Sequence, residues 1–278
     1  MPVSNTAAED KMTVASLAAG PAYRDEQTMT QMVWRSFRRH KTAMVGATLL
    51  LVLVLASILA PVVSPWDPEK TDLDSRLEPP SLRHPMGTDE LGRDLLTRIL
   101  YGGRVSLSIG ILAMGLAVTV GVIIGGTAGF YGGWIDNLAM RFTDMMLSFP
   151  QLFVLIILAL ALRDIPIPAL QGTAFASVFT IVLVIAVLAW MQVARLVRAS
   201  FLSLKEKEFT EASRCVGASN GRIMSRHLLP NALSPIIVAA TFRVATSIIT
   251  ESGLSYLGFG VQPPTPTSGN MLKNAPVS

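Results

Sequence analysis

Arg243 and Glu251 lie in or beside an apolar stretch, and Asp144 opens another, so these are the side chains whose charge demands a reason. Ionisable residues at membrane depth are costly and by default face a cavity or a partner. Arg243 on a translocation path would meet a carboxylate. The open alternative is a hydrogen bond to carbonyls or to an acidic residue of a partner chain. Arg243 and Glu251 are separated by about 12 Å along a helix axis and cannot pair directly without a break. Together with Asp144 they could instead form an ion or proton relay, or Asp144 and Arg141 could be interfacial anchors. His40, His84 and His227 lie far apart with no ligand-spaced pair, so no metal site is expected. The single cysteine, Cys215, excludes a disulfide framework and any multi-thiolate cluster. No GxxxxGK[ST] loop occurs, so any ATP must be bound by another chain. No nucleophile has a base at usable spacing, which argues against an intramembrane enzyme.

The elements that would position these residues follow from composition. The chain has 278 residues, 51% hydrophobic and only 15% charged, against about a quarter charged in soluble domains. A membrane-crossing helix needs about 20 apolar residues. Five windows qualify: Thr42–Val63, Val105–Phe130, Met145–Leu162, Ala174–Val193 and Ala232–Ile249. The predicted fold is therefore an all-α polytopic membrane protein. Gly121, Gly125 and Gly129 recur at four-residue spacing, which permits close backbone approach on one helical face. Ile135–Asp144 extends the third window backward as an amphipathic stretch, and Pro150 predicts a kink there. Residues 1–31 have no apolar signal-peptide core and read as a disordered tail.

Lys and Arg in the short loops set the orientation. Arg35, Arg38, Arg39 and Lys41 place the N-terminal tail, residues 1–41, in the cytoplasm. Alternation then puts Ser64–Arg104 outside, Tyr131–Asn137 inside, Arg163–Thr173 outside and Ala194–Asn231 inside. The last loop carries Arg195, Arg198, Lys205, Lys207, Arg214, Arg222 and Arg226, an independent agreement. Ser64–Arg104 is less tidy, with six basic and eight acidic residues, but long loops weigh less. The remainder, residues 105–278, reads as the core of the molecule.

Arg195–Pro230 is too long for a turn and too polar for the membrane, so it must fold on the inner surface as helix, turn, helix. Phe201, Leu204, Phe209 and Ala212 recur at three- to five-residue spacing on one side. An amphipathic helix resting on lipid headgroups would satisfy that periodicity. The order Glu211-Ala212-Ser213, Gly217 and Leu229-Pro230, however, resembles the EAA loop of bacterial binding-protein-dependent ABC permeases: EAA, three residues, G, nine residues, I, one residue, LP. Ser213 replaces the second Ala and His227 the Ile. The resemblance implies a coupling helix that docks into a separate ATP-binding subunit. Small residues at Ala212 and Ser213 suit close packing, Gly217 suits a turn, and Glu211 can pair with a basic group.

The run from His84 to Leu107, HPMGTDELGRDLLTRILYGGRVSL, reads by itself as a turn into a helix with Thr88 as N-cap. It is similar to the signature before the second span in C-type permease subunits of dipeptide, oligopeptide and nickel ABC importers. The SPWDP at Ser64–Pro68, the ESGLSYLG at Glu251–Gly258 and the GVQPP at Gly260–Pro264 are similar too. Asp89, Arg93 and Asp94 would then be a contact surface for an external binding protein, or an internal salt-bridge network.

What the resemblance implies is a non-catalytic transmembrane subunit of an ATP-driven peptide importer in the bacterial inner membrane. It would form one half of a permease heterodimer, with two ATP-binding subunits using ATP and Mg and an external solute-binding protein. No cofactor is expected on this chain and no nucleic acid among its partners. The competing class is a secondary transporter built on Arg243, Glu251 and Asp144, but no inverted repeat is visible and a docking helix would serve no purpose there. Relatives usually carry a sixth span after the GVQPP stretch, so a missing sixth helix is expected for a chain ending at Ser278. At Thr267-Ser268-Gly269, relatives commonly show Ser-Trp-Gly, and loss of that aromatic removes an interfacial anchor.

Overall fold

The computed structural model describes residues 29–163 and 175–273, with side chains from Trp34 onward. Residues 1–28, 164–174 and 274–278 lie outside the described residues, and with them all of the expected outer loop Arg163–Thr173 except Arg163. Two compact units meet inside one helix, between Leu51 and Val52.

The first unit holds α1 (Met29–Arg39) and the beginning of α2 (Lys41–Ile58), separated by the non-helical His40. The second begins with the rest of α2 and a single-turn helix, α3 (Ala60–Val63), which has Pro61 in its first turn. Proline suits that position because the first amide protons of a helix have no intrahelical acceptor anyway. The predicted span Thr42–Val63 is thus a helix followed, after Leu59, by one further turn.

α4 runs from Leu95 to Tyr131, 37 residues or roughly 55 Å, longer than a bilayer is thick. It starts ten residues before the predicted Val105, and its N-cap is Asp94, not Thr88. The Asp94 carboxylate accepts from the Thr97 amide at 2.8 Å and the Thr97 hydroxyl at 2.6 Å. Thr88 is consumed elsewhere, its Oγ1 donating to Ser75 O and accepting from the Glu78 amide. Between them Gly92 turns the chain at φ +70°, and a Cβ there would lie 1.6 Å from Asp72 O.

α5 (Gly133–Leu147) and α6 (Gln151–Arg163) meet at 93°. The kink expected at Pro150 is a complete break. Pro150 lacks the N–H needed to continue α5, while its carbonyl accepts from Phe153 and opens α6. α6 alone is about 20 Å long and too short to span, so the third crossing expected at Met145–Leu162 requires the bent pair to act as one span. With it, the described residues hold up to five candidate spans, the number read from the sequence.

α7 (Phe175–Leu204) continues well past the predicted end at Val193. It packs along α4 on the glycine stripe: a Cβ on Gly125 would stand 2.2 Å from Ala194 O, and one on Gly129 2.7 Å from Arg198 O. The four-residue spacing does what was expected of it.

A short helix, α8 (Glu208–Cys215), follows. One long helix, α9 (Asn220–Tyr256), comes next, made of an opening turn, a π-helical turn at Ile223–Leu228 and the apolar run from Leu229. The second short helix expected to end near Pro230 is therefore the beginning of the fifth span. The wide π turn just before Pro230 relieves the bonding that proline disrupts. Phe130, Val193, Val197, Phe201, Ile223 and Leu228 form one core binding α4, α7 and α9 at this end. A final short helix, α10 (Ser268–Lys273), closes the described chain. There are no strands among the described residues, only an isolated bridge between Thr88 and Asp94.

Candidate functional site: an exposed short helix, a buried carboxyl and a half-buried arginine

α8 projects from the junction of α7 and α9. Thr210, fully buried, ties it down by donating its hydroxyl to Leu204 O at 2.9 Å, at the end of α7. The opposite side is open. Glu211 and Ala212 are exposed, as are Cys215 and Val216, and Ser213 is half-buried with its hydroxyl donated to Phe209 O. Gly217 sits at φ +77°, and a Cβ there would meet nothing within 4 Å, so its requirement is conformational rather than steric. The Ala218 amide reaches Ser213 O and the Gly217 amide Arg214 O, a Schellman closure that places glycine at the left-handed position. Leu229 is half-buried and Pro230 exposed within α9, while Leu228, which the pattern passed over, is the fully buried anchor. The six motif positions thus lie on an exposed short helix, its glycine stop and the root of the 37-residue rod α9.

Two ion pairs brace the neighbouring helices. Arg198 grips Asp136 through two nitrogens, Nη2 lying 2.6 Å from Oδ2. Arg195 pairs with Asp144. These contacts join α5 to α7 and explain why α7 continues through its arginines. Asp144 therefore has a partner within this chain, as an anchor does. Sequence reading missed both pairs, because separations of 62 and 51 residues leave no local signal.

Glu251 is entirely enclosed. Its Oε2 accepts from the Ser106 hydroxyl at 2.9 Å and its Oε1 from the Ser255 hydroxyl at 2.7 Å. Each serine oxygen in turn accepts a backbone amide, Ser268 on Ser106 and Val261 on Ser255, both at 3.3 Å. One carboxyl so links α4, α9 and the segment leading into α10. In this conformation Glu251 faces no open volume. Arg243, two helical turns away, is half-buried, and none of the carboxylates of the described residues lies within ion-pair distance of it.

The segment between α3 and α4 is held by its own polar core. Arg93 contacts Asp89 at 2.7 Å through Nη2 and 2.8 Å through Nε, and Arg98 approaches the same carboxylate at 3.7 Å. His84 Nδ1 lies 2.9 Å from Asp94, and its ring packs on Trp66, which Arg83 covers from 5.0 Å. Burial opposes ionisation of Asp89, but hydrogen bonds from the Arg93 side chain and from the Arg93 and Leu91 amides outweigh it. Its pKa falls below the ordinary carboxylate value. Asp89, Arg93 and Asp94 are each at most 7% exposed, so of the two readings they make the internal network. Among the described residues no group of three His, Cys, Asp or Glu side chains is gathered to hold a metal ion.

Long apolar helices, one sharply bent helix pair and an exposed short helix between two of the rods define a multi-pass membrane protein. Residues 117–277, more than half of the chain, match the model of the binding-protein-dependent transport system inner membrane component. Residues 28–80 match the N-terminal TM domain of oligopeptide transport permease C. Over 264 residues the chain is 40% identical to the glutathione transport system permease proteins GsiD of Escherichia coli O6:K15:H31 (strain 536 / UPEC) and Escherichia coli O157:H7. It is 39% identical to that of Shigella dysenteriae serotype 1 (strain Sd197). Each match covers 94% of this chain and 83% of the relative. The chain belongs to the family of binding-protein-dependent transport inner-membrane components, the permease subunits of ABC importers.

Proposed function

We propose that this permease subunit imports short peptides bearing free carboxylates, as one half of a heterodimer with a second permease. Two ATP-binding subunits bind ATP with Mg, and α8 docks into one of them through Glu211, Ala212, Ser213 and the turn at Gly217. Leu229 and Pro230 pass the movement into α9. An external binding protein delivers the peptide on the side of the 64–104 segment, and the N-terminus is cytoplasmic. This chain itself holds no cofactor and carries out no hydrolysis. The observation carrying this reading is the exposed α8, with the EAA-like residues in register, fused through its glycine stop to the 37-residue helix α9. Peptides fit the relatives' printed substrate, since glutathione is a tripeptide with two free carboxylates.

Within the path, Arg243 is the group that meets the substrate carboxylate, because a half-buried membrane cation with no carboxylate partner among the described residues is satisfied by one from outside. Glu251 and Asp144 serve it indirectly, by fixing α9 and α5. The test is reconstitution of the complete transporter in liposomes. Glu211→Ala and Gly217→Pro should abolish ATP-driven peptide uptake while leaving insertion intact, since proline cannot adopt φ +77°. Full uptake in either variant refutes the docking assignment. Arg243→Ala should lose the preference for free over amidated peptides, and equal uptake of both by the wild type refutes its role.

A further inference from the structure

The described part of α1 carries charge of one sign only. Arg35, Arg38 and Arg39 are all exposed, Lys41 follows directly, and no acidic residue occurs between Glu26 and Asp67. Among the described residues none of these cations has a carboxylate partner. On the same helix Trp34 and Phe37, one turn apart, stack with ring centroids 6.0 Å apart and planes 25° from parallel. Trp34 is 59% exposed. Helical geometry sets Arg35 and Arg39 about 100° and 140° around from Trp34, while Phe37 lies about 60° away on the other side. The helix therefore presents an aromatic edge and a cationic face, and one non-helical residue, His40, separates it from α2, which carries no charge after Lys41.

A helix solvated on all sides would have no use for an exposed tryptophan beside a phenylalanine. A membrane span beginning two residues after the last arginine of α1 holds that helix at headgroup level whatever its tilt. Tryptophan prefers that layer, and clustered Lys and Arg next to a span are attracted by anionic lipid. We infer that α1 is an interfacial helix binding anionic phospholipid headgroups through Arg35, Arg38, Arg39 and Lys41, with Trp34 and Phe37 seated in the acyl boundary beneath them. The cationic face supplies the selectivity: phosphatidylglycerol offers a net negative phosphate, whereas phosphatidylcholine cancels its own.

The full chain in nanodiscs tests this, with lipids brominated near the top of the acyl chain as quenchers. The Trp34 contribution is the difference in quenching between wild type and Trp34→Phe. The expected result is clear quenching by brominated phosphatidylglycerol and markedly less by brominated phosphatidylcholine in mixed discs. Arg35→Gln/Arg38→Gln/Arg39→Gln should erase that difference, and the corresponding triple Lys variant should keep it. Equal quenching by both lipids overturns the inference, because apolar contact alone would then hold the helix. Absence of Trp34 quenching also overturns it, as does quenching that disappears only in the triple Gln variant's misfolded fraction, separated by size-exclusion chromatography.

Discussion

Replacing Glu251 with leucine removes the acceptor for two hydroxyls that have no access to water, those of Ser106 and Ser255, which are 2% and 1% exposed. A buried donor left unmade costs about 1–3 kcal/mol in soluble proteins. Polar contacts between membrane helices average about 0.6 kcal/mol, because the unfolded chain in a bilayer also finds partners. Two lost bonds therefore bracket the penalty at about 1 to 6 kcal/mol, with about 3 as the working value. At about 2–4 °C per kcal/mol for a chain of this size, thermal unfolding in detergent should fall by about 6–12 °C. Glu251→Gln keeps one acceptor and should lose about a third as much. Adding Ser106→Ala and Ser255→Ala to the leucine variant should restore most of the loss, since deleting both sides of a hydrogen bond is nearly neutral. An unchanged melting temperature in Glu251→Leu, or a triple variant less stable than the single, would refute the node.

Gly125→Ala should destabilise by about 1–3 kcal/mol through the overlap with Ala194 O, whereas Gly115→Ala, with nothing within 4 Å, should change stability by less than about 0.5 kcal/mol; chemical unfolding of the two side by side decides. The Asp89 carboxyl, its folded pKa below its unfolded value, contributes stability that is present above the unfolded pKa and lost as pH falls through the folded one. Protease cleavage within residues 64–94 should therefore rise as pH drops below about 4, and Asp89→Asn should flatten that dependence while raising cleavage at neutral pH. A double-mutant cycle of Asp136→Asn with Arg198→Gln should give a coupling energy of about 0.5–2 kcal/mol, larger than for the more exposed Asp144 and Arg195; equal couplings would argue against the two-nitrogen geometry.

What could be read from sequence was whatever has a period or a length. Four of the uncharged windows coincide with single helices long and apolar enough to cross a membrane, because a bilayer imposes one length on all of them, and the window Met145–Leu162 falls on the bent pair. The glycines of α4 were placed on a packing face because four-residue spacing is a property of the helix itself. The short helix α8 and its glycine stop were legible because their residues are neighbours. Ends were harder. Asp94 rather than Thr88 caps α4, since the choice depends on a turn at Gly92 that fits only against Asp72. By charge alone the fourth span stops at its arginines, but charge marks a boundary only when it is unpaired, and Asp136 and Asp144 pair it. Pro150 announced a bend without its size, which the carbonyl left to open α6 determines. Glu251 was visible as a costly charge, yet its partner Ser106 is 145 residues away and ordinary in kind.

The length of α9 has a mechanical meaning. A rod of about 55 Å that rocks about its middle exchanges displacement between its ends, so a 5 Å shove at one end needs a tilt of only about 10° to reappear at the other. Such a lever is useful only if its far end grips a load. Glu251 sits five residues from that end and clasps Ser106 of α4, which is itself seated by its glycines on α7. Three rods are thereby geared into one body, and α6 is seated on it as well, Leu155 and Ala159 sharing a core with Val184, Leu188 and Met191 of α7 and Leu254 of α9, so a displacement of α9 is carried into every helix beyond the elbow at Ser148–Pro150.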